Sequence, residues 1–251
     1  MKVYNLYIKD SGNIGDDVCA PLLYFDLGIE QILYDNRKWR DIIEDVKDNL
    51  VILGGGGLFH IPNKDYNNGR FANIEEQLEK LPNLILWGTG HNIHGETKIT
   101  YPSYMNKFLL KGIRDRHTSY RWVPCASCMS PLFDKQYKAT NKKVNYCHIF
   151  TNLTQHNNEL AGLPIKFCCD TSFEEAVEFL ASAETIYTNS YHGAYWGLLL
   201  NKKVIVFEPY SSKFSGLPNF VEFNYLELCR RTNVLFYNDV KTIVERMKNG
   251  I

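Results

Sequence analysis

A histidine stands at an abrupt junction of this chain. The small polar run Thr188-Asn189-Ser190 gives way to Tyr191-His192-Gly193 and then to an unbroken apolar helix pattern. If Ser190 caps that helix, Tyr191, His192 and Gly193 form its first turn, whose backbone N–H groups lack helical partners. Such an end attracts anions. A bare helix terminus disfavours an imidazolium, whereas a bound carboxylate or phosphate keeps the ring charged and able to donate a proton. The structural alternative for His192 is a satisfied helix-start residue beside the core.

Other clusters of reactive or permissive residues fall at turns. Arg114-Asp115-Arg116 offers two guanidinium groups in three residues, suited to a carboxylate or phosphate. A surface ion-pair cluster around Asp115 is the competing reading. Asn13-Ile14-Gly15-Asp16-Asp17 combines a tight-turn glycine with two carboxylates at a helix start, where capping would equally explain the aspartates. Gly54-Gly55-Gly56-Gly57 follows a buried strand and lets backbone approach a ligand closely. It lacks both the Gly-Lys-Ser/Thr of a Walker loop and the spacing of a dinucleotide fingerprint. Gly88-Thr89-Gly90 ends a further strand. Glu208-Pro209-Tyr210-Ser211-Ser212-Lys213 places a carboxylate and an ammonium at one sheet edge.

The cysteines are scattered, and Cys125-Ala126-Ser127-Cys128 is a lone C-x-x-C with no second pair at zinc-site spacing. Its position away from any strand-to-helix turn argues against a thioredoxin-like role. Packing is the expected role, and no metal site is expected.

The elements that must position these residues follow from hydrophobic periodicity. Strands are expected over 3–8, 50–53, 84–87, 111–113, 144–150, 166–168, 184–187 and 203–207. Helices are expected over 18–25, 74–81, 104–110, 172–183 with Ser172 as N-cap, 191–200 and 239–248. Strand, turn and helix repeated in this way argue for an α/β protein with parallel sheets covered by helices. The expected architecture is two Rossmann-like domains, 1–123 and 144–251, joined by a linker over 124–143 and facing across a cleft. Lysines and arginines balance aspartates and glutamates at 28 each, which excludes a nucleic-acid partner attracted by global charge. The N-terminus reads directly into a strand, with no signal peptide and no apolar run near the roughly 20 residues of a membrane span. A reducing compartment, the cytoplasm, is expected. Attachment to a membrane surface is compatible with this composition.

Asn13-x-Gly15-Asp16-Asp17, Gly54-Gly55-Gly56-Gly57-Leu58-Phe59, Gly88-Thr89-Gly90, Arg114-Asp115, Trp122-Val123-Pro124-Cys125-Ala126-Ser127-Cys128 and Ser190-Tyr191-His192-Gly193 occur in that order. The series resembles the polysaccharide pyruvyl transferase family over nearly the whole chain. The resemblance implies a glycosyltransferase-B-like fold and transfer of pyruvate from phosphoenolpyruvate, a co-substrate, to a sugar or lipid-linked glycan as a ketal. It implies a donor held between the domains by Arg114 and His192. On that basis His192 is the expected acid, and Asp16 or Asp17 takes the proton of the attacking hydroxyl. Arg114, Arg116 and Lys213 hold the donor, with Ser190, Tyr191, Gly193 and Glu208 beside it. Asn13, Gly15, Gly55, Gly56, Gly57, Thr89 and Gly90 form the acceptor-side loops. Several characterised members carry an arginine at the place of Ser190, and Lys213 is the expected substitute for that charge. Two alternatives share the scaffold. One is a nucleotide-sugar glycosyltransferase in which Glu208 binds the ribose. The other is a catalytically inactive carbohydrate-binding protein.

Overall fold

The computed structural model describes residues 1–59, 74–148, 160–218 and 222–250. In chain order the first sheet takes β1 (Val3–Tyr7), β2 (Gln31–Asp35), β3 (Leu50–Leu53), β4 (Gly56–Phe59), β5 (Leu84–His91), β6 (Leu110–Ile113) and β7 (Arg121–Trp122). In space they run β2-β1-β3-β5-β6-β7, with β4 beside β5. The second sheet takes β8 (Asn141–Cys147), β9 (Ile165–Phe167), β10 (Ala183–Thr188) and β11 (Lys203–Val206), ordered β11-β10-β8-β9. Every pairing is parallel. The molecule is therefore mixed α/β, as the alternating pattern required. β1, β3 and β5 are buried along their whole length, which is why β3 and the first half of β5 read as continuous apolar runs.

The helices are α1 (Ile14–Asp17), α2 (Ile43–Val46), α3 (Ile74–Lys80), α4 (Phe173–Ala181), α5 (Tyr191–Leu199) and α6 (Tyr225–Lys248). Ser172 caps α4 in a full capping box with Glu175. Ser190 caps α5, as its position suggested.

Several expected elements take a different form. No α-helix covers 18–25: α1 ends at Asp17, and Pro21–Leu23 make a single 3-10 turn. Proline lacks the N–H and crowds the preceding turn, so it starts this short turn instead of continuing a helix. The helix expected over 104–110 is a 3-10 segment, Ser103–Lys107, because Phe108 is already extended on its way into β6. The strand over 84–87 continues through Gly88-Thr89-Gly90 to His91, with a register shift where Gly88 adopts φ 66°. β2, β4 and β7 lie outside the expected strands. The strand expected over 144–150 spans Asn141–Cys147, and residues 149 and 150 lie outside the described residues.

The tail helix starts at Tyr225, not near residue 239. Its buried stripe is Tyr225, Cys229, Asn233, Phe236, Val240 and Val244. Phe236, Val240 and Val244 pack with Leu50, Ile52, Ile85, Trp87 and Val123 of the first sheet's core. Tyr225 and Cys229 belong to the core that holds α4 and α5. One helix thus covers apolar surface from both halves. The segment after β7 is buried from Val123 to Cys128 and includes two 3-10 turns, Ala126–Met129 and Pro131–Asp134.

Candidate active site

Arg114 directly follows β6, and its side chain is 2% exposed. It lies in a slot that glycines keep open. A Cβ on Gly90 would stand 2.3 Å from its Nε, and one on Gly57 3.0 Å from its Nη2. The Tyr191 ring lies beneath the guanidinium, 3.8 Å from Cζ to centroid. The nearest carboxylate oxygen across an ion pair, Asp115 Oδ1, is 4.0 Å from Nε. Among the described residues neither Nε nor Asp115 Oδ1 has a hydrogen-bond partner. Asp115 uses its other oxygen, which accepts from the His91 N–H at 2.6 Å and from the Tyr101 hydroxyl. Burial opposes the charge on Arg114, but Tyr191 and Asp115 hold its proton affinity above the ordinary value. The result is a desolvated cation with incomplete pairing.

The turn after β1 meets the start of α5. Asn13 caps α1, its side-chain oxygen accepting from the Gly15 N–H at 3.1 Å. Gly15 abuts the imidazole so closely that a Cβ there would lie 2.1 Å from His192 Nδ1. Asp16 is partly buried beside Gly56 and feels Lys213 and Arg114. Burial pushes its carboxyl up from 3.8 to about 6, against the pull of those two cations. Asp17 has a structural task, accepting from the Ser11 N–H at 2.9 Å. Lys213 is pushed down to about 8 by burial and by Arg114, with Asp16 opposing. Its Nζ donates to the Tyr210 hydroxyl at 2.6 Å.

His192 is 5% exposed. Burial, then Arg114 and Lys213, push its proton affinity well below the ordinary histidine value, so the ring is neutral. Its Nε2 lies 3.6 Å from Cys125 Sγ, and Trp196 tilts against the ring at 5.2 Å. Ser190 Oγ accepts from the Gly193 N–H at 3.3 Å. That N–H, expected to be open to a ligand, is therefore already satisfied.

The structure brings together Gly15, Asp16, Gly56, Gly57, Gly90, Arg114, Tyr191, His192 and Lys213. Asn13, Ser190 and Gly193 flank this cluster through the caps of α1 and α5, whereas Arg116, Glu208, Thr89 and Gly55 are engaged elsewhere. Arg116 forms two hydrogen bonds with Glu222 and stacks on Trp122 and Tyr225. Glu208 is exposed, with φ 45°. Thr89 donates to the Leu53 carbonyl at 2.6 Å, and Gly55 packs on the Cys19 carbonyl. An apolar cavity of about 580 Å³, lined by Ala194, Leu198, Val204, Val206, Phe214 and Leu217 among others, lies along α5 and includes none of the charged cluster.

Sequence reasoning missed two contributors. Asn5, inside the buried β1, takes the Leu22 N–H at 3.1 Å and donates to the Gly54 carbonyl, tying the connection after β1 to the turn after β3. The signal was present as a polar residue centred in an apolar strand. Cys125 was read as packing alone, yet it touches His192. Among the described residues no cluster of His, Cys, Asp and Glu could hold a metal ion, and no helix is long and apolar enough to cross a membrane. Residues 4–211 match the sequence profile of the family described as Polysaccharide pyruvyl transferase. No curated protein matched the chain.

Proposed function

The chain belongs to the polysaccharide pyruvyl transferase family, and from that premise we propose that it transfers pyruvate from phosphoenolpyruvate to two hydroxyls of a sugar or lipid-linked glycan. The observation that carries the proposal is Arg114, a buried cation that has no hydrogen-bonded carboxylate among the described residues, the nearest ion-pair oxygen standing 4.0 Å from its Nε. Such a charge is costly to bury unless an anion completes it. A donor bearing a carboxylate and a phosphate supplies that anion, with Lys213 as the second cation and the glycosyltransferase-B-like cleft between the two sheets as its place.

The reaction adds a proton to C3 of phosphoenolpyruvate, and a sugar hydroxyl attacks C2 of the resulting oxocarbenium. Phosphate then leaves and a second hydroxyl closes the ketal. The enol CH2 becomes CH3. One hydroxyl proton balances that gain and the other departs on phosphate. Asp16 fits the proton-transfer step best, since a carboxyl near 6 exchanges protons close to neutrality. Protonated, it delivers to C3; ionised, it receives from the attacking hydroxyl. His192, neutral in its buried setting, suits a hydrogen-bond donor to the phosphate better than the imidazolium acid expected from sequence. Arg114 and Lys213 stabilise the charge that moves onto phosphate as it leaves.

Glu208, the ribose acceptor of the nucleotide-sugar alternative, is solvent-exposed, which weighs against that reading. Thermal-shift titration with phosphoenolpyruvate and with nucleotide sugars tests the choice. Phosphoenolpyruvate is expected to raise Tm and nucleotide sugars are not; stabilisation by nucleotide sugars alone would sink the proposal. Sugar binding without phosphate release from phosphoenolpyruvate would support the inactive carbohydrate-binding alternative.

A further inference from the structure

We propose that Cys125 fixes the tautomer of His192, so that the neutral imidazole carries its proton on Nδ1, facing the Asn13–Asp17 turn. Cys125 is thus a positioning residue acting through His192, and the C-x-x-C stretch has a task that neither metal binding nor simple packing describes.

The argument follows hydrogens through a fully enclosed chain of groups. Trp196, Ser127 and Cys125 are each 0% exposed. The Trp196 indole can only donate, and its Nε1–H points to Ser127 Oγ at 3.0 Å. Ser127 Oγ lies 3.3 Å from Cys125 Sγ. The Ser127 hydroxyl hydrogen therefore has the Cys125 sulfur as its acceptor. The Cys125 S–H is then left to donate, and His192 Nε2 is the acceptor at 3.6 Å. An Nε2 that accepts carries no hydrogen, which places the single ring proton on Nδ1.

The opposite tautomer fails the same count. If Nε2–H donated to the sulfur, the S–H and the Ser127 hydroxyl would have only each other as acceptors, so one of those two hydrogens would be stranded in a dry core, and buried donors are almost always paired. One orientation satisfies every group of the Trp196–Ser127–Cys125 chain and leaves only the Nδ1 side of the ring open toward the Asn13–Asp17 turn. The burial that depresses the proton affinity of His192 agrees with a neutral ring.

Nδ1 is the nitrogen against Gly15, where no Cβ fits. The ring proton therefore lies on the side of the turn that bears Asp16, where a donor can serve a phosphate oxygen. The catalytic consequence rests on the proposed function. The tautomer itself is a property of the free protein and stands or falls without it.

Long-range proton–nitrogen correlation NMR on the full-length chain, with ¹⁵N-histidine and His192→Gln for assignment, reads the tautomer directly. The expected wild-type pattern is neutral Nδ1–H. Cys125→Ala is expected to shift it toward Nε2–H, while Cys125→Ser, which keeps a donor, retains it. If turnover is present, Cys125→Ala should lower kcat about two- to ten-fold, the worth of one ordinary hydrogen bond, with little change in KM. A wild-type His192 protonated on Nε2 overturns the inference, as does a spectrum that Cys125→Ala leaves unchanged. Should Cys125→Ala not fold, the wild-type spectrum alone decides. Absence of phosphate release would count against the proposed function and leave the NMR result intact.

Discussion

Arg114 and Asp16 share one physical feature: each is held in a charge state that its surroundings make expensive. Removing such a group separates a functional role from a structural one. Arg114→Met leaves Asp115 buried without the cation that faces it, so its Tm is expected to fall. The same variant should weaken phosphoenolpyruvate binding by about 10–150-fold, the range of one hydrogen bond to a charged group. Calorimetric titration alongside a melting curve checks both halves. For Asp16 the native protein keeps a proton between the ordinary 3.8 and about 6 that the unfolded chain has lost. More protons bound in the native state means that stability falls as pH rises through that window. Asp16→Asn removes the ionisation, so it should melt higher than wild type at pH 7, by roughly 2–4 °C for each kcal/mol recovered, and show no gain below pH 3.8. In turnover, kcat/KM should fall as pH rises above about 6 because the free enzyme must hold that proton. A bound trianionic donor raises the carboxyl further, so the fall in kcat should move to higher pH. A kcat/KM that rises through 6 would assign Asp16 as base only.

At the scale of elements, the glycine clusters make room for a side chain. Gly90 and Gly57 keep open the slot that Arg114 fills. Gly90→Ala should displace the guanidinium and raise KM for phosphoenolpyruvate with little effect on the fold, measurable by steady-state kinetics and circular dichroism. The sequence revealed strands, turns and caps where local chemistry decides them: Ser172 and Ser190 begin helices because a hydroxyl can take an orphan N–H. It did not reveal where tertiary contacts decide. Arg114 and Arg116 look equivalent in sequence, but only the second meets Glu222. In residues 225–238 polar Asn233 interrupts the buried stripe of α6. That residue is polar for a reason visible only in three dimensions. Its side chain accepts from Trp87 Nε1 at 2.9 Å and donates to the Pro124 and Cys229 carbonyls, each at 3.1 Å. Asn233→Ala strands the Trp87 N–H and the Pro124 carbonyl in the core and should cost about 1–3 kcal/mol for each group left unsatisfied, read by chemical denaturation.

Across the whole molecule, the two sheets meet at the carboxyl ends of their strands, and the site exists only where they meet. Gly15 from the first half touches His192 from the second, and Arg114 stacks on Tyr191. Backbone pairing reinforces the junction: Ser212 donates to Ile93 at 3.0 Å, Gly95 to Tyr210 at 3.0 Å and Arg116 to Gly216 at 3.2 Å. α6 crosses back to cover Ile85 and Trp87. At Gly112 it packs so closely that a Cβ would lie 2.8 Å from Phe236. A chain ending at residue 224 should therefore expose the first sheet's core and aggregate, as size-exclusion chromatography would reveal.

The proposed function requires that the site protonate C3 of phosphoenolpyruvate and trap the product as a ketal. The reaction run in deuterated water with phosphoenolpyruvate and a sugar diol, followed by NMR of the product, tests it most directly. The expected product is a pyruvyl ketal whose methyl group carries one deuteron, formed with release of one phosphate and lost in Asp16→Asn. A product that retains its CH2= group, or no phosphate release across a panel of sugar acceptors, would contradict the account.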